Sequence, residues 1–376
     1  MRSGRPGRRG RTAVALALLA GTAACGDSPS GPSERGDIDI SLPWQYAEPA
    51  ALGMDGPALE RAASQAGALP RMRSLVVVRE GRIALERYYN GFGPDSLADL
   101  RSVTKSVVSM LTGIAMDQGG ISSLDLTLGE LLTQDLGIPS AAQAPISLRH
   151  LLTMSGGFQW DESGVAEYND WRRSGDFVQY LLDRPVVSEP GTAFTYNSAA
   201  VHLLSLLVER SMGASLILFA NVGLFQPLGI TRGQWEGMID GTVNGGAGLD
   251  LRPLDLARLG QLYLQRGRSG GRTVVRGDWV DLTTEPAYDW SRRVGPAGGI
   301  TYGHLWWVDR DRDAFFAWGY GGQFLYVVPA RRLVVVTTTD WSLLSQEGGP
   351  AALEAAVMEV IVEGVVPAAP PISGSR

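Results

Sequence analysis

The chain has 376 residues, 44% of them apolar and 19% charged, enough to bury a large core and too apolar for general disorder. Its single Cys excludes a disulfide framework and Cys-based zinc sites. A formal charge of −6, with no basic block beyond the first eleven residues, argues against nucleic-acid binding. Of the 33 Lys and Arg residues only one is Lys, at position 105. A chain that uses Arg almost everywhere has kept one amine.

Residues 1–25 read as a targeting segment. Arg2, Arg5, Arg8, Arg9 and Arg11 form a basic region, and Ala13–Ala20 is an apolar run too short to span a bilayer. The small residues of Thr22-Ala23-Ala24-Cys25 resemble a bacterial lipobox, with Thr22 where Leu is more usual. The expectation is a signal peptide ending at a lipidated Cys25, hence an exported, periplasm-facing protein held to the membrane by its N-terminus. Loss of the five leader Arg takes the formal charge from −6 to −11. Residues 26–50 open on a Ser/Pro/Gly run and read as a flexible tether, and 366–376 as a disordered tail.

Asp55 is placed to N-cap a short helix through Leu59 and Ala63, with Pro57 in its first turn. Ser74–Val78 and Arg82–Tyr88 are β-rich runs split by Arg79-Glu80-Gly81, a hairpin signal. Residues 102–118, 147–154, 176–182, 198–211 and 253–264 carry apolar side chains at helical spacing. Phe324–Pro329 and Leu333–Thr339 flank Ala330-Arg331-Arg332 as a second hairpin, and Pro350 opens a helix through Val362. Strands at both ends with helices between them predict an α+β domain over 51–365. One antiparallel sheet would be built from 51–100 and 270–365, with a mainly helical lobe, 101–269, inserted. A crevice between the two is the natural place for a site.

Ser102-Val103-Thr104-Lys105 opens the strongest amphipathic pattern in the chain. Positions i and i+3 share a helix face, so the Ser102 hydroxyl and the Lys105 amine can meet at the helix N-terminus. A Ser hydroxyl is a poor nucleophile until a base takes its proton. An amine neutralised by burial or by nearby positive potential can be that base; a guanidinium cannot. The only Lys in the chain thus stands where Arg would not serve.

Tyr196-Asn197-Ser198 precedes the helix from Ala199 to Arg210. Tyr196 can project its phenol into the crevice, where a cationic Lys105 would stabilise the phenolate and let it shuttle protons. Ser198 can donate to a substrate carbonyl or to Lys105. Ala317-Trp318-Gly319-Tyr320-Gly321-Gly322-Gln323 leads into a late strand, and a backbone N–H there can join that of Ser102 as an oxyanion hole. His150, His202 and His304 show no ligand spacing, so neither metal nor cofactor is expected, and His202 reads as a core or surface residue.

In this order the elements resemble the serine β-lactamase and penicillin-binding-protein superfamily, introduced by the same S-x-x-K signature. The similarity is to its class C-like branch of esterases, D-aminopeptidases and 6-aminohexanoate-oligomer hydrolases. It covers roughly residues 53–363 and includes Leu151–Gly157 (LLTMSGG), Pro190-Gly191, Gly245–Leu249 (GGAGL) before Asp255-Leu256, Tyr302-Gly303 and Trp306-Trp307. The resemblance implies a β-lactamase/transpeptidase-like fold: a mostly antiparallel sheet flanked by terminal helices, with an inserted all-helical lobe. It implies a Ser102 acyl-enzyme, with Lys105 and Tyr196 managing the proton. Its oxyanion donors would be the N–H of Ser102 and that of Tyr320, with Gln323 as the alternative.

Two departures bear on substrate. The second motif has Ser198 where the family often has Asn. The third has Ala317-Trp318-Gly319 in place of Lys-Thr-Gly or His-x-Gly, and no cation lies between Ala314 and Ala330 to hold a substrate carboxylate. Esters or small amides with apolar acyl groups are therefore expected, with Trp318, Gly319, Trp160 and Trp171 as pocket walls. The alternatives are a β-lactamase or DD-peptidase that borrows an Arg from elsewhere, and a catalytically silent binding lipoprotein of the same fold.

Overall fold

The computed structural model describes residues 37–344 and 349–372. The leader, Cys25 and the first part of the tether lie outside them. Helix α1 (Gly56–Ala68) starts where Asp55 accepts the Ala58 N–H at 2.9 Å, with Pro57 in the first turn. Strands β1 (Met72–Arg79) and β2 (Arg82–Tyr88) close through Glu80 and Gly81, whose φ angles of 50° and 74° are those of a tight hairpin turn. Three helices follow that matter for the site: α2 (Val103–Asp117), α3 (Ser198–Met212) and α4 (Pro253–Leu264). Then come β3 (Arg292–Val294), β4 (Ala297–Tyr302), β5 (Trp307–Asp309), β6 (Ala314–Gly319), β7 (Gln323–Val328), β8 (Leu333–Thr339) and helix α5 (Ala351–Glu359).

The eight strands form one antiparallel sheet in the order β2-β1-β8-β7-β6-β5-β4-β3. The two hairpins legible in the sequence dock edge to edge through β1 and β8, with Val76 opposite Val336. Every residue of β7 and β8 is buried, so both sheet faces are covered there. This is why those strands read as unbroken apolar runs rather than alternating ones; each fully buried Val contributes roughly 1.5–3 kcal/mol. Helix α4 lies on β1, β7 and β8. Gly260 permits the approach: a Cβ there would stand 2.6 Å from both Leu325 and Val334. Helix α1 packs against the C-terminal turns at 360–365.

Strands β3 to β6 extend the sheet beyond the two expected hairpins. They are short and rich in Gly and aromatics, and carry no two-residue alternation that would announce them. The residues between β2 and β3 are mainly helical and also hold a small sheet of 98–99, 249–251 and 233–235.

Two boundaries differ from expectation. Residues 37–50, assigned to the tether, pack onto the domain: Ile40 is buried, its N–H bonds Ser269 Oγ, and the Trp44 indole bonds the Leu254 carbonyl. The tail is also ordered through residue 372. Val366, Ala368 and Ala369 are buried, and Arg331 donates to the carbonyls of Val366 and Ala369. Pro and Ala there fill space against the sheet end; their composition alone could not show it.

Candidate active site

Helix α2 is buried from Val103 to Ala115 and contacts β6, β7 and α3. Arg101, just before it, adopts φ 49°, a left-handed conformation that costs a non-Gly residue on the order of 1–3 kcal/mol. This sharp turn throws the chain into the helix with Ser102 at its mouth. Lys105 Nζ donates to Ser102 Oγ at 2.8 Å and to the Gly246 carbonyl at 2.6 Å. The Gly-rich run flagged in the sequence thereby acquires a task. Gly246 approaches α3 so closely that a Cβ would stand 2.8 Å from the Ser198 carbonyl oxygen, and this approach aims its own carbonyl at the amine.

Lys105 is only 1% exposed. Burial, first of all, brings its ammonium down to about 7; Arg101 adds to that push and the Glu162 carboxylate opposes it. Burial thus moves the amine next to Ser102 towards the neutral state a base needs.

Tyr196 joins this pair. Its ring centroid lies 4.8 Å from Lys105 Nζ, and it stacks on Trp307 at 6.3 Å. The expected phenolate is not supported. Burial and then Glu162 hold the Tyr196 phenol well above its ordinary range, and the Ser102 hydroxyl only partly offsets them. Tyr196 is a neutral phenol here, able to give a proton rather than take one.

Ser198 faces elsewhere than expected. Its hydroxyl donates to Glu162 at 2.7 Å and its N–H to the same carboxylate at 2.5 Å, while the Trp160 indole supplies a third donor at 2.7 Å. The residue that caps α3 is Asn197, which accepts the Ala200 N–H at 2.9 Å. Glu162 is the residue sequence reasoning missed; it sits in an irregular loop with no periodicity or motif to mark it. Trp160 serves to hold Glu162 and lies edge-on to Tyr180, so it is not a free pocket wall. Nor is Trp171, fully buried against Tyr168, Phe177 and His202 with its indole bonded to the Phe177 carbonyl. His202 belongs to that core, its imidazole pushed down to about 4 by burial.

The third element closes the site. A Cβ on Gly319 would lie 2.2 Å from the Leu100 carbonyl oxygen, so β6 runs directly against the segment that delivers Ser102. Tyr320 follows. Among the described residues, neither the Ser102 N–H nor the Tyr320 N–H is taken up in a turn, cap or side-chain hydrogen bond. Gln323 instead pairs with Gly319 in the ladder, and its side-chain amide is engaged by Thr339. Trp318 lines the same face beside Trp307, with ring centroids 5.2 Å apart. Over both indoles lies the Arg292 guanidinium of β3, 5.6 Å from the Trp307 ring and 5.5 Å from that of Trp318. The strand itself has no cation, as the sequence said, but the sheet brings one to its face.

The beta-lactamase family description matches residues 58–356, most of the ordered domain. The chain belongs to the beta-lactamase family. It is a serine hydrolase of that superfamily, and its mixed helix and antiparallel sheet architecture is β-lactamase/transpeptidase-like. It is 28% identical over 295 residues to the 6-aminohexanoate-dimer hydrolase of Paenarthrobacter ureafaciens, covering 71% of this chain and 72% of that one. Lovastatin esterase of Penicillium rubens is 24% identical over 203 residues, about half (49%) of each chain. The fold matches that of EstCE1, a hydrolase with promiscuous acyltransferase activity, at a TM-score of 0.67 and 18% identity, over 83% of this chain and 99% of that one.

Proposed function

We propose that this family member cleaves an ester or small amide through a Ser102 acyl-enzyme. The observation that carries the reading is the 2.8 Å contact between Ser102 Oγ and the buried Lys105 amine, and burial brings that ammonium down to about 7. Lys105 takes the Ser102 proton as Oγ attacks the carbonyl carbon. The oxyanion is received by the N–H groups of Ser102 and Tyr320. Collapse breaks the bond to the alkoxide or amine, which leaves with a proton from Tyr196 or from the Lys105 ammonium. Water then attacks the acyl-enzyme by the same route in reverse. Tyr320 is preferred over Gln323 as the donor because Gln323 is committed to the ladder. A relative that is an esterase and one that hydrolyses a 6-aminohexanoate dimer both fit the ester or amide class.

Arg292 favours a second reading, a penicillin-type enzyme that holds a substrate carboxylate. Treatment with a fluorophosphonate and, separately, a fluorescent penicillin, followed by peptide mass analysis, decides between them. Phosphonate alone on Ser102 supports the ester or amide reading; labelling by both supports the second. No adduct with either, in folded protein, leaves a silent binding protein.

For residues 1–25 we propose a lipoprotein leader that anchors the exported enzyme to the membrane through Cys25. Incorporation of labelled palmitate in the parent and its loss in Cys25→Ser is the expected result. Equal labelling of both would exclude it.

A further inference from the structure

We infer that Glu354, on helix α5, is the positioning residue of the oxyanion turn, holding the Gly321 amide so that the Tyr320 N–H faces Ser102. This rests on the acyl-enzyme reading above. The turn between β6 and β7 is Tyr320-Gly321-Gly322, with φ of 85° and 100° at the two glycines. Backbone of that kind has many alternatives open to it, so something must choose one.

Three holds come from within the sheet. Thr339 Oγ1 donates to the Gly321 carbonyl at 2.7 Å, Thr337 Oγ1 to the Gly322 carbonyl at 3.0 Å, and the Gly322 N–H to the Gly319 carbonyl at 3.2 Å. The fourth comes from a different element. Glu354 Oε1 accepts the Gly321 N–H at 2.8 Å. Tyr320 is then fixed on both sides: Gly319 rests against the Leu100 carbonyl, and the Tyr320–Gly321 peptide is tied to α5.

Glu354 is 8% exposed, and burying a carboxylate is costly unless donors meet it. Burial pushes its carboxyl up, while the Gly321 amide, the Trp318 indole and the Arg292 guanidinium oppose that push. Trp318, two residues before Tyr320, and Gly321, directly after it, both favour the charged form of this carboxylate. An apolar residue at 354 would leave the buried Gly321 N–H without an acceptor, and a neutral acceptor would hold it more weakly. A charge-assisted bond to one amide is shorter and more directional, which is the property an oxyanion donor needs behind it.

The test uses the full chain, p-nitrophenyl butyrate as substrate, and phenylboronic acid, whose tetrahedral Ser102 adduct places an oxygen where the oxyanion forms. Glu354→Ala is expected to lower kcat by about 100-fold, with KM within about 3-fold and phenylboronate binding weakened in parallel with kcat. Glu354→Gln keeps an acceptor oxygen and should recover to within about 10-fold of the parent. Should Glu354→Ala not fold, Glu354→Asp keeps the charge and shortens the reach; it should lower kcat and inhibitor affinity together. Parental kcat and inhibitor affinity in Glu354→Ala, or in Glu354→Asp, would overturn the inference while leaving the acyl-enzyme reading intact, and so would a rise in KM alone. If Ser102→Ala hydrolyses the ester as fast as the parent, the acyl-enzyme reading itself falls and takes the inference with it.

Discussion

Gly319 lies so close to Leu100 that a Cβ on it would stand 2.2 Å from the Leu100 carbonyl oxygen. The obstacle is backbone and cannot swing aside. Strand β6 and the segment that leads into Ser102 are therefore in register only while residue 319 has no side chain. Gly319→Ala should separate the Tyr320 N–H from Ser102 and lower kcat by about 100-fold, because a displacement near 1 Å at a reacting centre costs about that much. Steady-state kinetics on a p-nitrophenyl ester, with circular dichroism to confirm folding, checks this. Parental kcat would show that the two segments tolerate the separation.

Lys105→Arg should keep the positive charge and abolish turnover, since a guanidinium stays protonated and cannot take the Ser102 proton. Substantial residual activity would remove Lys105 from the base role. Lys105→Met should also be inactive, yet melt about 2–4 °C higher near pH 7, because a buried amine destabilises the folded state. The sign follows from linkage. The folded amine titrates near 7 and the unfolded one near 10.5. Over that window the unfolded chain binds more protons, so this group's penalty is full below pH 7 and fades as pH rises towards 10.5. The gain in Tm of Lys105→Met should accordingly shrink at higher pH, as differential scanning calorimetry would show.

If neutral Lys105 is the base, kcat/KM should rise with pH through about 7 and then level off. Glu162 raises the Lys105 pKa, so Glu162→Gln should move that limb to lower pH. A limb that stays in place or moves to higher pH would show that the Glu162 carboxylate does not act on the amine. Ser198→Ala removes one donor to Glu162 but no group from the reaction path, so its kcat should fall by no more than about 10-fold. Pre-steady-state acylation rates at several pH values would measure both variants.

Arg292 has exposed surface over Trp307 and Trp318, and these rings border the Tyr196 and Tyr320 side of the site. If it holds an anionic part of the substrate, Arg292→Leu should raise KM by about 10-fold or more for an ester bearing a carboxylate and leave a neutral isostere unchanged. Equal effects on the two esters would assign Arg292 to packing on the indoles alone.

Sequence alone determined the pieces that obey local rules. Ser102 and Lys105 meet because i and i+3 share a helix face, and the hairpins at Glu80-Gly81 and Ala330–Arg332 follow from turn chemistry between apolar runs. The lone Lys was legible because every other basic residue is Arg. Only the tertiary structure decided which other groups assemble around the site. Glu162, Gly246, Arg292 and Glu354 come from a loop, a Gly-rich turn, a three-residue strand and the C-terminal helix, separated by up to 200 positions or so along the chain. No periodicity links them, since their meeting depends on sheet order and on backbone approaches that only Gly allows. The same burial that neutralises Lys105 keeps Tyr196 protonated. Burial of a single side chain is a property of the packed whole, and a run of residue names does not contain it.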